Sequence, residues 1–364
     1  MRKSLLRTCF ALACLGVYSG LAFAQPNSIL ESLQSVASST VPIPPAPSDL
    51  NPYGVAFVPD GFPSGPNIAP GDVLVSNFNN SSNQQGTGTT IVSISPIAGQ
   101  QNPSLFAISP LIGLTTALGV LSRGFVIVGN LPVAYPSVNI TPGSLQVFDR
   151  NAMVVATLND PNLDSPWDLT INDLGSFAQV FVSNVLSGTV TRLDLAVGKN
   201  GVTLLHSTRI GSGFTHHSDP AALVVGPTGL AYDPESDTLF VASTGDNEIF
   251  GIPHAAKRTS DAHTGSVVFA DQTHLHGPLG LTRTPNGNLI TANGDAPSVN
   301  PGGTQNDLVE FTEQGMFVAD HQLDSGAPGA AFGIASAISQ GVVRFAAVDD
   351  DLNAAITWTL HLLF

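Results

Sequence analysis

The chain has 364 residues, of which 43% are hydrophobic and only 11% charged, with 27 acidic residues against 12 basic ones and a formal net charge of −15. Such an acidic excess repels phosphate backbones and anionic lipid, which argues against nucleic-acid and membrane-surface roles. The length is ample for a large hydrophobic core without covalent staples.

The first element is a leader. Arg2, Lys3 and Arg7 open the chain, an apolar stretch runs over residues 5–21, and Ala22-Phe23-Ala24 is a small-x-small cleavage signal. This is the pattern of a secretory signal peptide over residues 1–24, with the mature chain expected to begin at Gln25 in a periplasmic or secreted location. No second long apolar run follows, so membrane insertion is not expected. Both cysteines, Cys9 and Cys14, fall in the leader. Its removal would leave no thiol for a disulfide, a nucleophile or a thiolate metal site.

Residues 25–50 form a lead-in, proline-rich at its end, whose stretch 29–36 suits a short helix or a strand. From residue 51 onward one strand pattern recurs without a linker. Val-Leu-Val-Ser ends at Asn77, Val-Ile-Val-Gly at Asn130, Val-Phe-Val-Ser at Asn184, Phe-Val-Ala at Ser243, Leu-Ile-Thr-Ala at Asn293 and Phe-Ala-Ala-Val at Asp349. These anchors lie 50 to 59 residues apart, a period that belongs to the blades of a β-propeller. Residues 51–364 are therefore expected to form an all-β, six-bladed propeller, monomeric by default. The last blade is one strand short, and the lead-in is a candidate to close it, because an unclosed ring leaves strand edges exposed.

Ahead of most anchors stands a Pro-x-Gly-apolar-small element or a variant of it. It reads Pro52-Tyr53-Gly54-Val55-Ala56, Pro227-Thr228-Gly229-Leu230-Ala231 and Pro278-Leu279-Gly280-Leu281-Thr282. Blades two and six keep the glycine without the proline, at Gly119 and Gly333, whereas Pro166-Trp167-Asp168-Leu169-Thr170 puts a carboxylate where the other five carry glycine. This unit resembles the NHL repeat, best at Gly226–Ser243. The resemblance implies a ring of blades and, more distantly, a relation in fold to propellers of the SMP-30 and gluconolactonase type. Those enzymes place a calcium-ligating Glu in an early Glu-Gly-Pro-x-Trp element; here the matching residues are Asn51-Pro52-Tyr53-Gly54, with no acid.

In a propeller the inner strand starts on the face where the antiparallel second strand ends. Tyr53, Trp167 and Asp168 are thus expected to share one channel mouth with Asn77, Asn130, Asn184, Asn293 and Asp349, beside long loops over residues 78–90, 131–143 and 294–306. Two accounts of the anchors stand side by side. They line a polar funnel for a small polar ligand or a hard cation such as Ca²⁺, with Asp168 and Asp349 supplying charge, or each ties down its own loop. A charge at Asp168 calls for a partner: a cation, a ligand amine, or donors such as Asn130 and Asn184. His274 and His276 precede an inner strand and are further candidate metal ligands, alongside the pair His216-His217. Asp349-Asp350-Asp351-Leu352-Asn353 begins like an EF-hand loop but lacks its turn glycine.

No nucleophile elbow, phosphate loop, zinc-protease helix or haem-attachment motif occurs, and the sequence names no catalytic residue. Two functions are carried forward. One is a recognition scaffold for a protein, peptide, glycan or small polar ligand; the other is a metal-dependent lactonase, esterase or lyase.

Overall fold

The computed structural model describes residues 28–34, 39–42, 48–96, 101–220, 222–294, 306–326 and 329–361; the leader and most of the 294–306 loop lie outside them. Six four-stranded antiparallel sheets follow one another along the chain. Their inner strands are Leu50–Phe57, Leu114–Leu121, Pro166–Asp173, Pro227–Asp233, Pro278–Arg283 and Ala331–Ser339. Each inner strand packs against those of the two neighbouring blades, so the six close a ring around a central axis. The protein is a six-bladed β-propeller.

The sixth blade takes three strands from the end of the chain, and its outermost strand is Ser39–Pro42, antiparallel to Ala354–Leu360 with Ser39 opposite Thr357. A strand from one end of the chain thus bonds to a sheet built from the other, and the ring cannot open without breaking that ladder. Just before it, the helix Ile29–Leu33 buries Ile29, Leu30 and Leu33 among Ile290, Leu308 and Trp358 of blades five and six. Its first turn is held by the buried carboxylate of Glu310, which accepts from the Ser28 hydroxyl (2.7 Å), the Leu30 amide (2.9 Å) and the Asn288 side-chain amide (2.7 Å). The free amides of a helix start need such an acceptor, and an acid there also meets the positive end of the backbone dipoles.

Every inner strand bulges near its start, where the pairing with the second strand slips by at least one residue. Proline suits the first bulge position because it has no amide to offer the ladder. Two residues on, the chains run close together: a side chain at Gly229 would overlap the backbone of Leu279 and Gly280, and one at Gly333 would overlap the carbonyl of Tyr53.

The pairing also corrects one alignment. In blade two the bulge is a residue longer, from Leu114 to Leu118, and Leu118 pairs with Val128 as Leu169 pairs with Val182. Ala117, not Gly119, therefore stands where blade three has Asp168. Four blades carry glycine at this position, one alanine and one aspartate.

Candidate functional site

The anchors end the second strands on one face, as their spacing implies, and all six are buried. Their side chains bond to neighbouring loops and strands, with Asn77 Oδ1 and one Asp349 oxygen left buried without a partner. Asn77 donates to the Thr90 hydroxyl at 2.8 Å. Asn130 donates to the Ile112 carbonyl (3.0 Å) and accepts from the Ser144 amide (2.9 Å). Asn184 accepts from the Asp164 amide (3.0 Å) and donates to the Thr191 hydroxyl (3.1 Å). Asn293 accepts from the His276 amide and donates to the His274 carbonyl, both at 2.9 Å. Asp349 accepts from the Leu352 amide at 3.0 Å. Buried amides and carboxylates used this way fix the path of the chain between strands.

Between the anchors the mouth is filled with apolar side chains rather than open and polar. Tyr53 stacks between Phe78 (centroids 4.4 Å apart) and Phe332 (4.3 Å), and Trp167 sets an edge against both Tyr53 and Phe78 at 5.8 Å. Leu131 and Val185, each next after an anchor, turn inward beside them with Leu279, and a short hairpin, His217–Asp219 with Leu223–Val225, adds Leu223 and Val224. Tyr53 and Trp167 do gather on the channel axis, but as parts of a plug. The sequence signal for the rest of the plug was an apolar residue directly after an anchor, as at Phe78, Leu131 and Val185.

Asp168 lies on the channel side of this plug. Its carboxylate accepts from its own neighbour's amide, Leu169 (2.8 Å), and from the Leu230 amide of blade four's inner strand (3.2 Å). Neither Asn130 nor Asn184 reaches it. Burial pushes its pKa well above the ordinary carboxylate range, and the two amides pull it back only in part. It faces a cavity of about 290 Å³ whose walls include Phe57, Thr116, Thr170, Leu230, Thr282 and Ser336. These walls follow the inner strands away from the plug, and Phe57, Thr170, Thr282 and Ser336 are half-buried. The channel therefore opens on the face opposite the anchors.

Asp349 belongs to a different neighbourhood. Its pKa is pushed up to about 6, chiefly by burial, with the charges of Asp324, Asp307 and Asp351 adding to the effect. Its second oxygen is buried without a hydrogen-bond partner. Asp168 and Asp349 thus sit in different surroundings, and neither figures among the charges acting on the other. His274 pairs with Asp271 at 2.6 Å and stacks on Phe317 at 3.8 Å, while His276 is tied through its backbone to Asn293. Among the described residues no three His, Cys, Asp or Glu side chains gather as a metal-holding group.

Outside the plug, the anchor face exposes apolar side chains: Leu111, Ile112, Tyr135 and Val138. Leu111 and Ile112 border a cleft of about 370 Å³ with Pro132, Pro142 and Asn159. The Tyr135 hydroxyl donates to the Gln85 carbonyl at 3.1 Å, joining two of the long loops. These residues are absent from the sequence-derived candidates; their one signal was apolar side chains set among prolines in otherwise polar loops.

No known family pattern matches the sequence, and no curated protein matches it. Solved structures do. One is a gluconolactonase from Xanthomonas campestris (TM-score 0.52, 12% identity, covering 86% of this chain and 86% of that one). Another comes from a nidogen/laminin complex (TM-score 0.51, 13% identity, covering 80% of this chain and 86% of that one). A third is a putative glucose dehydrogenase from Thermus thermophilus (TM-score 0.51, 13% identity, covering 89% of this chain and 100% of that one). Similarity at this level establishes a distant propeller relation and the fold, and fold does not carry function with it.

Proposed function

We propose that this protein is an exported, NHL-like propeller that acts as a recognition scaffold, presenting its anchor face to a protein or peptide partner. One observation carries the proposal: the channel mouth beneath the long loops is filled by Tyr53, Phe78, Trp167 and Phe332, while Leu111, Ile112, Tyr135 and Val138 stand exposed around it. A partner meeting this face touches loops on a rigid ring, the arrangement on which recognition surfaces are commonly built. The side-chain oxygens of Asn130, Asn184 and Asn293, which a lactonase would direct at a metal, here accept backbone amides of the loops. A structural relative within a laminin complex accords with protein binding on such a ring. Export rests on the leader, and a secreted form beginning at Gln25 in a mass spectrum is its direct check.

The test pairs a peptide-display selection with an activity screen. Peptides selected on the wild-type protein should lose binding to the double variant Ile112→Asp, Tyr135→Ser. A panel of lactones and esters should show no turnover with or without Ca²⁺. Turnover abolished by chelator, with stoichiometric bound metal, would overturn the scaffold in favour of a metal-dependent hydrolase.

A further inference from the structure

We infer that the channel cavity behind the plug is a binding site for a small organic monocation, an ammonium group on a short apolar body, with Asp168 as its counter-charge and the face opposite the loops as its way in. This site lies on a different face from the proposed recognition surface and stands or falls independently of it.

The first support is the cost of having Asp168 there at all. Four blades hold glycine and one alanine at its position, and at Gly229, Gly280 and Gly333 the next blade's backbone fills the space a side chain would need. Blade three instead leaves room for a carboxylate between itself and blade four. A ring joint is made without it at the other five junctions, so closure alone does not explain the residue.

The second support is charge. Each Asp168 oxygen accepts one backbone amide, which leaves acceptor capacity on both, because a carboxylate takes about four hydrogen bonds. Among the described groups no Lys, Arg or His acts on it; burial and the two amides account for its state. A carboxylate in such surroundings is costly until a cation arrives.

The third support is the lining. Thr116 is occupied with the Trp167 carbonyl, and Thr282 accepts from the Ser336 amide. The remaining walls are mixed, with Phe57, Leu118, Ile171 and Ile334 beside Thr170 and Ser336. A Ca²⁺ ion asks for six or more oxygen ligands, and a sugar for several polar partners. A single negative charge among mixed walls, several of them aliphatic or aromatic, fits one positive charge carried on a short organic body. The chamber, at about 290 Å³, is matched to a small molecule.

The test uses n-butylammonium as probe and n-butanol as its neutral counterpart, with binding read by calorimetry and by thermal shift. The ammonium should bind saturably and raise the melting temperature, and the alcohol should not. Asp168→Asn keeps an acceptor for the Leu230 amide, so it should fold and weaken binding by roughly tenfold or more. Thr170→Trp, which fills the cavity from its half-buried wall while leaving the Asp168 carboxylate in the chain, should abolish binding by itself. The loop-face variant Ile112→Asp should bind the probe as the wild type does. Unchanged affinity in both Asp168→Asn and Thr170→Trp would overturn the inference. So would the absence of saturable ammonium binding, or Ca²⁺ binding that Asp168→Asn abolishes while the ammonium has no effect.

Discussion

The two mouths of the channel are made by the same six inner strands, yet they differ in almost every physical respect. At the anchor mouth, side chains from several blades and a hairpin converge, the anchors bond to their loops, and aromatic rings fill the axis. At the opposite mouth the strands diverge around a cavity, and one carboxylate remains without a counter-charge. The repeat dictates the ring, but the residues that break the repeat decide which end is sealed. Phe78, Leu131 and Val185 follow three of the anchors and fill one end. Asp168 departs from glycine and gives the other end its chemistry.

If the plug is a core, its loss should have the largest effect on stability. Phe332→Ala removes a ring stacked 4.3 Å from Tyr53 and should cost about 3–5 kcal/mol, read from chemical denaturation. The ring closure comes next. Glu310→Ala would leave the buried Ser28 hydroxyl and Leu30 amide without their acceptor, with a loss of roughly 2–4 kcal/mol and early proteolysis near residue 28.

A third test uses pH. Burial raises the pKa values of Asp349, Asp307 and Asp72. An acid raised in this way holds more protons folded than unfolded between its two pKa values. Its contribution to stability therefore falls as pH rises through that window, which for Asp349 runs from 3.8 to about 6. Burial lowers the pKa of His321, which works in the opposite sense on acidification, so the comparison is best made between variants. Asp349→Asn restores the anchor residue of four other blades and keeps an acceptor for the Leu352 amide. It should add about 1–3 kcal/mol near pH 8, and the gain should shrink toward pH 4. An equal gain at both pH values would show that Asp349 titrates normally. The smallest effect belongs to the exposed loops: Ile112→Asp should change stability by no more than about 0.5 kcal/mol, a result that separates recognition from packing.

Much of the fold was legible because the repeat is periodic and each copy confirms the next. The inner strands, the anchors and the gathering of Tyr53 and Trp167 follow from strand direction alone. The character of the mouth did not follow. An asparagine at a strand end reads the same whether it faces a ligand or the next turn, and only the positions of Thr90, Ser144, Thr191 and His276 decide between them. Asp168 was conspicuous as an exception, but its side of the plug depends on Phe332 and Tyr53, which stand far apart in the chain. The longer bulge that puts Ala117 in register with Asp168 was hidden by Gly119, two residues on, which imitates the repeat.

The central claim is that the channel is sealed beneath the loops and open on the other face, and thiol labelling tests it directly. In a chain with Cys9 and Cys14 replaced by serine, single cysteines at Ser336, in the open cavity, and at Leu279, in the plug, would be exposed to a small maleimide under native conditions. The account predicts rapid labelling at position 336 and protection at position 279 until the protein unfolds. Rapid labelling at 279 with protection at 336 would contradict it.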